Sequence, residues 1–174
     1  MTDDDAFRAA TRAVREEIDP APEERERLST AAAELVERCE AAVDDIGVDA
    51  DALLVGSTAR GTWTSGDRDI DVFVRFPADL DRERLEAYGL RVGDEVLPEG
   101  CEEYAEHPYV TGEFRGLDVD LVPCYDVPSA TEIQSAVDRT PFHTACGRLR
   151  TGSRSPTARR STARGRRRTR GTRR

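Results

Sequence analysis

Hydrophobic positions recur at helical spacing over residues 2–18, where Phe7, Ala10, Val14 and Ile18 fall on one stripe. Thr2 is placed to cap this helix, and Asp3, Asp4 and Asp5 suit the positive end of its dipole. The run Asp19-Pro20-Ala21-Pro22 breaks it. A second helix is predicted over 23–46, with Leu28, Ala32, Leu35, Cys39 and Val43 on one stripe and Gly47 as its stop. Both stripes predict core helices.

The period then changes. A short apolar run at 53–55 meets Gly56-Ser57, and a second run at 70–76 opens with Asp69-Ile70-Asp71. This reads as strand, glycine turn, strand, with Asp69 and Asp71 on one face and Ile70, Val72, Val74 and Phe76 on the other. A helix over 79–88 stopped by Gly89 and another over 90–97 follow. Residues 109–114, a turn at Arg115-Gly116, and 117–122 predict a hairpin ended by Pro123. On its second strand Leu117, Val119 and Leu121 alternate with Asp118 and Asp120. Ser129 is predicted to cap a helix over 129–137, and Asp138-Arg139-Thr140-Pro141-Phe142-His143-Thr144 follows it.

Two carboxylates on one strand face repel each other unless a cation lies between them, so Asp69 and Asp71 ask for a divalent metal with hard oxygen ligands. The glycine turn can bring backbone N–H groups, the Ser57 hydroxyl and the Arg60 guanidinium to a phosphate. Metal and phosphate together suggest a nucleotide. Spacing alone also allows a solvated acidic strand face, and for Arg60 a surface salt bridge.

The residues Gly56-Ser57-Thr58-Ala59-Arg60-Gly61-Thr62 followed by Asp69-Ile70-Asp71 resemble the signature of the DNA polymerase β nucleotidyltransferase superfamily. The longer wording, through Trp63 and on to Arg75-Phe76-Pro77, most resembles archaeal class I CCA-adding enzymes, the tRNA nucleotidyltransferases. The resemblance implies an α+β head of the polymerase β-like kind, a mixed or antiparallel sheet packed against helices. It implies a tRNA 3′ end as acceptor, CTP and ATP as donors, and Mg2+ as cofactor. Asp69 and Asp71 would bind the metals and Asp120 would be the third carboxylate, since Asp120-Leu121-Val122-Pro123-Cys124-Tyr125 fits the family's wording. Asp118 shares its face and is the competitor. Gly56, Ser57 and Arg60 would meet the phosphates. Thr140 and His143, in Thr140-Pro141-Phe142-His143, would help hold the incoming nucleotide. Trp63 and Arg68 would shape the loop between strands, and Asp67 is a weaker ligand candidate. The alternatives are a stand-alone minimal nucleotidyltransferase acting on a protein or small molecule, and an inactive gene fragment.

Charge divides the chain. Of its 174 residues, 148–174 hold twelve arginines and no acid, whereas 1–147 hold fourteen arginines against all 35 acids, a net charge of −21. There is no lysine. Such an excess self-repels unless salt screens it, and points to the cytoplasm of a halophile. It also argues against diffuse electrostatic binding of RNA. Residues 1–146 are read as one catalytic domain, with 1–47 its N-terminal helices. The resemblance stops at Cys146, short of the lysine, tyrosine and tRNA-gripping domains of the family. Residues 147–174 lack apolar periodicity and read as a disordered, Arg-rich tail. An RNA-binding arm and a partner-binding tail are open for it, but the abrupt loss of acids and aliphatic residues favours a frameshifted or truncated continuation. Cys39, Cys101, Cys124 and Cys146 are scattered, which predicts reduced intracellular thiols and no zinc site. No apolar run approaches a membrane span, so a soluble cytoplasmic protein is expected. The pattern sets no oligomeric state.

Overall fold

The computed structural model describes residues 3–67 and 69–147. The readings made for Thr2, for Arg68 and for the tail 148–174 lie outside the described residues. Helices α1 (Asp3–Ile18) and α2 (Pro22–Ile46) precede strand β1 (Asp51–Leu54), the short helix α3 (Gly56–Arg60), and β2 (Asp69–Pro77). Then come α4 (Arg82–Val96), β3 (Cys101–Tyr104), β4 (Pro108–Phe114), β5 (Leu117–Asp126), a 3-10 turn over Ala136–Asp138, and α5 (Arg139–Gly147). The five strands lie in the order β1-β2-β5-β4-β3. Only β2 and β5 pair in parallel, so the sheet is mixed, as expected for the fold class.

One sheet face carries the main core. Ile70, Val72, Val74 and Phe76 of β2 and Val119 and Leu121 of β5 pack with Leu28, Leu35 and Val43 of α2 and Leu85, Val92 and Val96 of α4. This is the strand alternation meeting the helix stripe. The other face has a small cluster of Val55, Phe73 and Cys124 covered by Leu53, Val122 and Val137. Beyond it, the face is open at the end where β2 and β5 begin.

Several local expectations are corrected. Helix α1 forms, but it is not a core helix: Phe7, Val14 and Ile18 are 71%, 53% and 41% exposed. The glycine turn after β1 is wound into α3, between Gly56 and Gly61, both in left-handed conformations. The two helices predicted at 79–88 and 90–97 are one, because Gly89 and Gly93 serve close packing instead of a stop. A Cβ on Gly89 would lie 2.6 Å from the Cβ of Pro123, and one on Gly93 would lie 2.3 Å from Cγ2 of Val110. Gly89→Ala is therefore expected to destabilise the chain by about 1–3 kcal/mol through overpacking, against a helix-propensity gain of about 1 kcal/mol. Denaturant titration in high salt measures the balance.

Strand β5 runs through Pro123, which was expected to end it. Its pairing with β4 stops at Val110↔Leu121, so Pro123 lies where β5 pairs only with β2 and the missing N–H is tolerated. The edge strand β3 was not anticipated. The helix predicted over 129–137 does not form; the structured turn is the 3-10 segment after Ser135, not a helix from Ser129, and the Asp138 carboxylate accepts the Ser135 N–H at 2.7 Å. Cys39 and Cys124 are buried and Cys101 exposed, all three as free thiols. Burial pushes the Cys39 thiol up to about 12 and raises that of Cys124 as well, which makes neither a nucleophile. No helix among the described residues is long and apolar enough to cross a membrane.

Candidate active site

Parallel pairing of β2 with β5 sets Asp69 opposite Asp118 and Asp71 opposite Asp120. Paired residues of neighbouring strands point to one face, so four carboxylates stand together at the open end of the sheet. They line a concavity of about 360 Å³ with Ser57, Ile70 and Val119. Asp69 and Asp118 form its exposed rim, whereas Asp71 and Asp120 are half-buried behind them. The deeper pair thus joins Asp71 to Asp120 rather than to the competitor Asp118.

Helix α3 and the residue before it are fastened to the backbone carbonyls of this acidic end. The Val55 N–H donates to the Asp71 carbonyl at 2.9 Å, and the Thr58 hydroxyl donates to the Asp69 carbonyl at 2.8 Å. Gly56 sits so close to Asp71 that an added Cβ would lie 2.0 Å from Oδ2. Ser57 lines the concavity, and its carbonyl accepts the Thr62 N–H at 3.0 Å. Thr58 is a site residue that sequence reading missed; its hydroxyl looks neutral in a helix until the strand beside it is known. Thr58→Val is expected to cost about 1 kcal/mol and to loosen α3 from β2, visible as faster hydrogen exchange in 56–60.

Asp71 reports the electrostatics. Burial raises its pKa, the Asp120 and Asp69 carboxylates raise it further, and Arg60 offsets part of the rise. Arg60 is exposed and makes no ion pair among the described residues, which leaves its charge directed at the acids and any ligand there. Among the described residues no group of three or more His, Cys, Asp or Glu side chains is arranged to hold a metal ion. The donor set nevertheless fits a hard divalent cation: every candidate ligand is a carboxylate or hydroxyl oxygen, and a cation would relieve the charge crowding that raises Asp71.

The remaining candidates fall around this centre. Thr140 and His143 lie on α5, which packs on α3, but neither lines the acidic concavity. Trp63 is buried, with the Arg25 guanidinium 5.7 Å from its ring centre. The Asp67 carboxylate accepts the Thr64 N–H at 2.8 Å and the Thr64 hydroxyl at 3.1 Å, so it closes the loop and does not join the carboxylate group. Glu24 holds that loop from α2, accepting the Gly66 N–H at 2.9 Å and the Ser65 hydroxyl at 3.1 Å.

Residues 34–143 match the model of the nucleotidyltransferase domain family. The chain is similar to the CCA-adding enzyme of Halobacterium salinarum, 68% identical over 131 residues that make up 75% of this chain and 29% of that protein. The CCA-adding enzyme of Halorubrum lacusprofundi is 62% identical over 141 residues, 81% of this chain and 30% of the relative. That of Methanosarcina barkeri is 47% identical over 135 residues, 75% and 30%. The chain thus spans about 30% of the length of these curated relatives. Among solved structures, a cytoplasmic RNA terminal U-transferase superposes with a TM-score of 0.52 at 18% identity, covering 66% of this chain and 33% of that one. CdnC of E. coli MS115-1 with ATP does so with a TM-score of 0.55 at 23% identity, covering 79% and 49%. These two share the fold.

Proposed function

The chain belongs to the nucleotidyltransferase domain family, and we propose that it is the catalytic head of an enzyme that adds or repairs the 3′-terminal CCA of tRNA from CTP and ATP. The observation that carries this reading is the 68% identity to a CCA-adding enzyme over the stretch that holds all the acids of the site. Nucleotidyltransferases of this fold generally work with divalent metal ions, and Mg2+ is our assignment. Asp69, Asp71 and Asp120 would hold the cation. When bound, it lowers the pKa of an attacking 3′-hydroxyl and neutralises charge on the departing pyrophosphate.

The chain's own residues supply position and charge. Gly56 lets the backbone approach Asp71 closely, and Ser57 offers a short hydroxyl donor to a phosphate oxygen at the edge of the same concavity. Arg60 brings a permanent cation to developing phosphate charge. Thr140 and His143 would meet the nucleotide from α5. A cytoplasmic location accompanies this reading. So does a saline one, in keeping with the −21 charge of residues 1–147 and with relatives from Halobacterium, Halorubrum and Haloarcula. The screening length grows from about 3 Å at 1 M salt to about 30 Å at 0.01 M, so dialysis to low salt is expected to lower the thermal midpoint; an undiminished midpoint would count against this assignment.

The function is tested by incubating the chain in high salt with Mg2+, labelled CTP or ATP, and tRNA lacking its terminal CCA. Labelled tRNA supports the proposal. Transfer to a protein or small molecule instead, with tRNA untouched, would replace it with a nucleotidyltransferase of another acceptor.

A further inference from the structure

We infer that Asp138 is the positioning residue that locks α5 to β5 and thereby sets Thr140 and His143 against the rest of the site; the inference rests on the function proposed above. Asp138 is fully buried. Its Oδ1 accepts the Tyr125 N–H at 2.8 Å, and its Oδ2 accepts the Gln134 N–H at 3.0 Å and the Ser135 N–H at 2.7 Å. A carboxylate withdrawn from water is costly unless its oxygens are satisfied, and here three backbone donors converge on it. Such bonds to an ionised acceptor are the strong kind.

The donors come from two places. Tyr125 lies near the end of β5, five residues after Asp120 on the same strand, whereas Gln134 and Ser135 belong to the connection that leads into α5. Asp138 itself ends the 3-10 turn, and α5 starts at the next residue, Arg139. Helix α5 then packs on α3, which carries Ser57 and Arg60. One side chain therefore joins the strand of the third carboxylate to the helix of the two nucleotide candidates. The connection between them, 127–135, contains no regular element that could fix the helix on its own.

The test uses the full chain in high salt and the variant Asp138→Asn. The amide turns an N–H2 group toward at least one of the backbone donors, so a strong acceptor becomes a donor facing a donor. Hydrogen exchange read by mass spectrometry is expected to show α5 exchanging about tenfold faster or more, the order expected on losing a charge-assisted bond, together with the Tyr125 N–H that Asp138 holds, while β2 and residues 117–122 of β5 stay unchanged. The dissociation constant for CTP with Mg2+ should rise by about tenfold or more for the same reason. Binding of Mn2+ alone, which reads the carboxylates, should stay as in the wild type. Unchanged α5 exchange with unchanged CTP affinity overturns the inference. So does a variant in which β2 and residues 117–122 of β5 lose protection together with α5, since that marks a general staple of the fold. If the wild-type chain binds no CTP, the proposed function fails, and the exchange of α5 alone decides the anchor.

Discussion

Asparagine at position 71 is expected to make the metal-free chain more stable while abolishing nucleotidyl transfer. Asp71 is half-buried, faces Asp120 across the β2–β5 pair, and has its pKa raised by burial, by Asp120 and by Asp69. A raised carboxyl pKa in the folded state means that the ionised form is less favourable there than in the unfolded chain. That penalty is complete above the folded-state pKa, is relieved as pH falls through it, and is gone below the ordinary carboxylate value. The wild type, freed of metal by a chelator, should therefore gain stability from this group on mild acidification from neutral pH. The Asp71→Asn variant should show a flatter response. At neutral pH it should be the more stable by about 1 kcal/mol, the usual size of relief at a strained functional position. Transfer should fall on the order of a thousandfold or more, since several kcal/mol of metal-borne stabilisation is lost. Thermal melts with chelator across pH, paired with the transfer assay, measure both effects; a variant less stable than wild type in chelator would contradict the electrostatic reading.

Gly56→Ala should damage the site through geometry instead of charge. A methyl group there would lie 2.0 Å from Oδ2 of Asp71, and the backbone is held at φ +68°, where a side chain is strained. Neither partner can yield freely, because the neighbouring Val55 N–H is bonded to the Asp71 carbonyl and Thr58 to that of Asp69. The carboxylate must then swing out of the concavity. The left-handed backbone alone costs about 1–2 kcal/mol, and displacing a reacting group by about 1 Å costs about a hundredfold in rate. Binding of Mg2+ and CTP should weaken along with transfer. Wild-type affinity in this variant would mean that the close approach of Gly56 to Asp71 has no functional weight.

The elements that carry these residues were legible because their patterns are sharp. Where β2 and β5 begin, acids and aliphatic residues alternate, so the shared face of Asp69 with Asp71, and of Asp118 with Asp120, follows from the pleat alone. That the two strands lie side by side, in parallel and with Asp71 opposite Asp120, is a property of sheet topology that no local pattern encodes. The stripe of α1 gave the helix correctly but not its surroundings, since periodicity shows which face is apolar and not what covers it. Gly89 was read as a stop because glycine ends helices often; here a sheet residue, Pro123, lies where a side chain would go. Ser129 was read as a cap because serine often starts helices, but the turn forms further on, where the buried Asp138 takes the N–H groups of Gln134 and Ser135, a contact that no local pattern announces. Strand β3 is exposed along its whole length, so Cys101-Glu102-Glu103-Tyr104 has no buried alternation to announce it.

The assignment of Asp120, and not Asp118, as the partner of Asp69 and Asp71 is tested most directly by Mn2+ titration of the full chain in high salt with CTP present, followed by electron paramagnetic resonance. Asp120→Asn is predicted to abolish tight binding and Asp118→Asn to leave it close to wild type. Tight binding that survives in Asp120→Asn and disappears in Asp118→Asn would contradict the proposed site.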